Sequence, residues 1–177
     1  MDTSSSRVTP ATYWNGVRKL MALWAAIIFV GFLFTYFYQT LNPTSINIVW
    51  GILAAIGLIY SKKQMPWSDV VLRNIFLVWL IIIVLGLTLS QIIFILPPLY
   101  YYASLLGAVW LMIMALGHTL TGFIDKKKIY ILTAGLQLVV AFLIFAFVNS
   151  IPSLYTLQYL IAGIVGAASM MLLLIFI

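Results

Sequence analysis

Polar positions in this chain come in short bursts, and the apolar runs between them have the length of paired helices. Residues 20–61, 74–124 and 129–177 contain no Asp, Glu, Lys or Arg. The bursts hold every charge: Arg7, Arg18 and Lys19; Lys62, Lys63 and Arg73; Lys126, Lys127 and Lys128; with Asp2, Asp69 and Asp125 among them. A membrane-crossing helix takes about 20 predominantly apolar residues. Each run therefore holds two crossings and a turn. The pattern predicts six spans, over about 20–38, 47–61, 72–95, 99–123, 129–148 and 154–177, and returns the chain to one side at every basic cluster.

The turns carry their own punctuation. Gln39–Asn47 contains Asn42-Pro43, Pro97-Pro98 separates spans 3 and 4, and Pro152 lies in Asn149–Ser153. Proline removes a backbone donor and disfavours helix at the preceding residue. Thr9-Pro10 reads as a helix start, with a capping hydroxyl and a proline in the first turn. The Ser/Thr-rich residues 1–9 before it are expected to be flexible. Residues 10–19, with Tyr13 and Trp14, suit the head-group level, and Tyr100–Tyr102 suit an aromatic belt on the other side. Span 2 is short for a crossing, which Lys62 and Lys63 offset by snorkelling. A re-entrant loop at span 2 would put those lysines outside, against the positive-inside rule.

The fold expectation is an all-α polytopic membrane protein, a bundle of six transmembrane helices arranged as three hairpins, in a single integral membrane domain over 1–177. Composition agrees: 65% of residues are hydrophobic and 7% charged, with a mean hydropathy of +1.18. Soluble domains carry about 25% charged residues. The net charge of +6 does not indicate nucleic acid. The basic residues flank apolar spans, where they meet anionic head groups and set orientation, with both termini on the cytoplasmic side. The chain has no cysteine, which excludes disulfides, thiolate metal sites and cysteine nucleophiles. The first apolar segment lacks a small-residue cleavage site and is expected to remain as an anchor.

A loose repeat follows each turn, with Pro43, Pro97-Pro98 and Pro152 trailed by Gly51, Gly107 and Gly163. On Pro43, Gly51, Gly57 and their counterparts, the chain resembles small membrane proteins of the HdeD acid-resistance type. That resemblance implies a bundle of similar hairpins and no particular activity. Span 6 carries two small-xxx-small pairs, Ala162/Gly166 and Gly163/Ala167, which let helix backbones approach closely. They predict either packing within the bundle or a homo- or hetero-oligomer formed through span 6.

His118 is the only histidine and the only ionisable side chain well inside a span. Such groups are functional candidates. In an antiparallel hairpin turning at Asp125–Lys128, His118 and Gln137 reach similar depth, and a hydrogen bond between them is expected. Thr121 lies beside them in the most polar stretch of any span. One histidine without thiols or carboxylates cannot complete a zinc site, so no metal or cofactor is expected. Thr88, Ser90 and Gln91 on span 3 either line a shallow cavity or bond back to helix carbonyls. No lysine or carboxylate lies inside a span, and no HExxH, P-loop or GxGxxG motif occurs. Together these absences favour a non-enzymatic membrane protein, an accessory, assembly or sensory subunit acting through helix contacts. The alternatives are a small transporter or channel for a neutral or apolar solute or lipid, with a polar site near His118, and a lipid enzyme that uses His118 as base.

Overall fold

The computed structural model describes residues 10–39, 43–64, 67–96 and 105–176. They form six helices: α1 (Pro10–Tyr38), α2 (Pro43–Gln64), α3 (Val70–Ile95), α4 (Leu106–Asp125), α5 (Lys128–Phe147) and α6 (Leu154–Phe176). The shortest has 20 residues, about 30 Å at 1.5 Å per residue. All six are long and apolar enough to cross a bilayer. No strand occurs among the described residues. Residues 1–9 and the turn at Pro97-Pro98 lie outside them. The aromatic belt expected of Tyr13, Trp14 and Tyr100–Tyr102 rests on side chains that also lie outside those described.

Span 2 is not short. The helix begins at Pro43 and continues through Lys62 and Lys63 to Gln64, because proline at a helix start forgoes only a donor that would be unpaired anyway. Asp69 starts α3 by accepting from the Val71 and Leu72 amides, a cap worth about 1 kcal/mol. α4 and α5 are joined by Lys126 and Lys127 alone. Lys126 takes a left-handed backbone, φ 57°, to make the reversal. So tight a turn forces α4 and α5 together along their length.

Consecutive helices touch throughout, and α6 returns to α1 to close a ring. The most extensive contacts are α1 with α6 and α4 with α5. Neither pair belongs to one of the three expected hairpins. Charge clusters tell where a chain turns, not which helices pack best. α4 is the most buried helix and α3 the least, which is why the polar stretch around His118 is tolerated on α4. Its flanks face protein rather than lipid.

One sequence pattern organises four of the helices. Trp, then Gly seven residues on, then Ser or Thr four further, occurs as Trp24/Gly31/Thr35, Trp50/Gly57/Ser61, Trp79/Gly86/Ser90 and Trp110/Gly117/Thr121. Steps of seven and eleven residues both return to within about 20° of the same face of a 3.6-residue helix. In an antiparallel pair, the tryptophan of each helix therefore meets the glycine of the other. Trp24 lies over Gly57 and donates to Ser61 Oγ at 3.1 Å. Trp50 lies over Gly31 and donates to Thr35 Oγ1 at 3.0 Å. Trp110 lies over Gly86 and donates to Ser90 Oγ at 3.0 Å. Each hydroxyl in turn donates to the carbonyl of its glycine. The glycine makes room for the indole, and the hydroxyl satisfies an N–H that lipid cannot. Interhelical hydrogen bonds in membranes contribute only about 0.6 kcal/mol each, so ring packing dominates these clasps. Trp50 and Trp110 stack 5.7 Å apart, and Phe32 packs edge-on against both. That aromatic centre joins the α1–α2 and α3–α4 pairs.

Candidate functional site

Apolar clefts lie between the two clasped pairs and the helices packed on them. One cavity, of about 40 Å³, is lined by Trp24, Trp50, Trp79 and Trp110 together with Phe32 and Met170. A second, of about 50 Å³, lies nearer the basic end, between Leu20, Ser61, Phe76, Tyr130 and Leu173. Trp24, Trp79 and Met170 line both and form the partition between them. All four repeat tryptophans thus face one interior. The signal that finds them was in the spacing of Trp, Gly and Ser/Thr, which becomes visible once the four helices are aligned on one another.

His118 and Gln137 meet as expected. His118 Nδ1 lies 3.0 Å from Gln137 Oε1 and 3.0 Å from the Met114 carbonyl, and both side chains are fully buried. A carbonyl oxygen only accepts, so Nδ1 carries the proton and donates to both oxygens. In the neutral ring, Nε2 is then a bare acceptor. It has no hydrogen-bond partner among the described residues, and neither has the Gln137 amide nitrogen. Most buried polar atoms are paired, and two orphans on one interacting pair stand out. The pair lines neither apolar cavity. Trp79 stands beside it, its ring edge-on to the His118 ring at 5.1 Å.

Thr121 does not join the pair. Its hydroxyl donates to the Gly117 carbonyl at 2.8 Å. Ser90 belongs to a clasp, Gln91 accepts from Asn47 on α2, and Thr88 is exposed. The small face of α6 is used inside the chain. Ala162, Gly163 and Gly166 are buried, with Ala167 at the edge of the core. A Cβ on Gly163 would sit 2.8 Å from Phe32 Cβ, and one on Gly166 would sit 2.8 Å from Ile28 Cγ2. The proline–glycine repeat has no common structural role, since a Cβ on Gly51 would meet nothing within 4 Å while one on Gly107 would meet Gln158.

Gln158 was not singled out by the sequence pattern. It is fully buried, and its Oε1 accepts from the Gly107 amide at 3.0 Å. It caps one of the donors left free at the start of α4 and ties α6 to α4. Gln158→Leu is expected to destabilise the protein by about 1–3 kcal/mol, the cost of an orphaned buried amide. Unfolding in mixed detergent micelles would measure it. A neutral change would mean that Gly107 finds another acceptor.

No protein-family model matches the chain, and no curated protein or solved structure matches it either. The likeness to HdeD-type hairpins therefore brings no family with it. What the fold defines is a class, an all-helical protein with six helices able to span a membrane.

Proposed function

We propose that this chain is a non-enzymatic multi-pass membrane protein, an accessory or sensory component that binds a small apolar molecule between its helices. The observation that carries the reading is the apolar cavity lined by all four repeat tryptophans, with a second cavity beyond Trp24, Trp79 and Met170. Aromatic walls offer a planar or aliphatic guest large dispersion area with little ordering. Either cavity alone is smaller than the roughly 150 Å³ that holds a benzene-sized guest, so a guest takes its room by displacing Met170, the flexible, polarisable side chain at the partition. A molecule held there touches α1, α2, α3, α4 and α6 at once, so its binding changes how the helices pack. Partners would read that change on surfaces other than the small face of α6, which α1 already covers. We place the basic clusters, both termini and the anionic head groups on the cytoplasmic side.

Transport past His118 has less behind it, because His118 and Gln137 line neither cavity. Catalysis on a lipid has less still, because Gln137 is neither acid nor base.

The test is a titration of the protein in lipid nanodiscs with toluene, followed by tryptophan fluorescence. A saturable change is expected in the wild type, and Met170→Trp, which fills the partition, is expected to abolish it. A response that only follows toluene partition into lipid, identical in both proteins, would sink the reading.

A further inference from the structure

Three of the four clasps are closed and one is open. Trp24, Trp50 and Trp110 each pin the indole N–H on a hydroxyl of the neighbouring helix. Trp79 has the same spacing relation to its partner helix, and its ring lies against Gly117, 3.1 Å from where a Cβ would stand. Yet Thr121, the hydroxyl in the matching position, is bonded only to the Gly117 carbonyl. The Trp79 indole, half-buried, is not pinned on that hydroxyl as the other three are on theirs. The open clasp is also the one beside His118 and Gln137, the two buried side chains with orphaned nitrogens. Two unpaired polar atoms therefore gather at one corner of the interior, the Gln137 amide donor and the His118 Nε2 acceptor, with the Trp79 ring beside them.

We propose that this corner is the polar end of the internal site, and that it selects small neutral molecules bearing one hydroxyl on an apolar body, the phenol or short-alcohol class. The proposal rests on the binding reading above. A hydroxyl oxygen accepts from the Gln137 amide while its proton goes to His118 Nε2. An ether or ketone of the same shape accepts but leaves the imidazole lone pair unpaired. An ion would have to leave water for surroundings that hold no counter-charge. Trp79 separates this corner from the cavities and lines both of them. It is the one repeat indole not pinned on a hydroxyl of its partner helix, so it is the ring that moves aside to join the apolar space to the polar pair.

The experiment compares phenol, anisole and toluene on the protein in lipid nanodiscs, with each probe's partition into protein-free discs subtracted. Phenol is expected to bind about tenfold more tightly than anisole, the factor for one buried polar atom left unpaired. His118→Leu and Gln137→Leu are each expected to erase that preference while toluene affinity stays within about twofold. Equal affinity for phenol and anisole in the wild type would overturn the proposal, and so would a preference that survives both substitutions. The former is also the result expected of a pair that serves only to hold an ordered water. If His118→Leu does not accumulate, the wild-type comparison and Gln137→Leu decide. Saturable toluene binding without a phenol preference removes this inference alone, whereas no saturable binding of any probe removes the binding reading as well.

Discussion

Alanine at Gly86 and alanine at Trp110 are expected to be damaging singly and to compensate together. A Cβ on Gly86 would collide with the Trp110 indole. That ring is rigid and held on three sides: it stacks on Trp50, takes Phe32 edge-on and bonds to Ser90. Overpacking of this kind costs about 1–3 kcal/mol. Trp110→Ala removes the ring and opens a hole, for about 3–5 kcal/mol. In the double variant the new methyl group occupies space that the ring has vacated. The combined loss should then fall short of the sum by at least about 1 kcal/mol, as coupled neighbours do. Unfolding of the four proteins in mixed micelles measures the cycle. Additive losses would mean that the indole does not rest on Gly86.

The second large effect falls on the contact between α1 and α6. Gly166→Ile introduces a branched side chain where even a Cβ would lie 2.8 Å from Ile28 Cγ2 and 3.1 Å from Met114 Cε. α6 would be driven from both α1 and α4, at about 3 kcal/mol or more. Gly51→Ala is the matched control. A Cβ there meets nothing within 4 Å, and alanine is the better helix former by up to about 1 kcal/mol. The control should be neutral or stabilising. Equal tolerance of both substitutions would show that α6 does not close the ring through this face.

The number of helices and the placement of their turns were legible because charge is expensive in lipid. Lys62, Lys63 and Lys126–Lys128 therefore mark helix ends without ambiguity. The meeting of His118 and Gln137 was legible for a related reason, since an antiparallel pair with a fixed turn sets depth by counting residues. Which helices pack most closely was not legible. Gly163 and Gly166 announce a close approach but name no partner, and α1 answers them rather than α5. The tryptophans carry no charge and sit among Leu and Ile, so each alone reads as one more apolar residue. Only their shared distance from a glycine and a hydroxyl sets them apart. The polar orphans lay beyond the sequence altogether, because whether an atom is paired depends on angles that spacing does not encode.

The closing of α6 onto α1 also has a consequence in time. The strip of α1 that packs on α6, at Ile28 Cγ2 and Phe32 Cβ, receives that neighbour only after every other helix has been synthesised. During insertion that surface faces lipid or an assembly factor. A ribosome stalled before residue 163 would therefore leave that strip of α1 uncovered, and a nascent chain halted there should be a preferred target for membrane quality control, even with its first four helices already clasped.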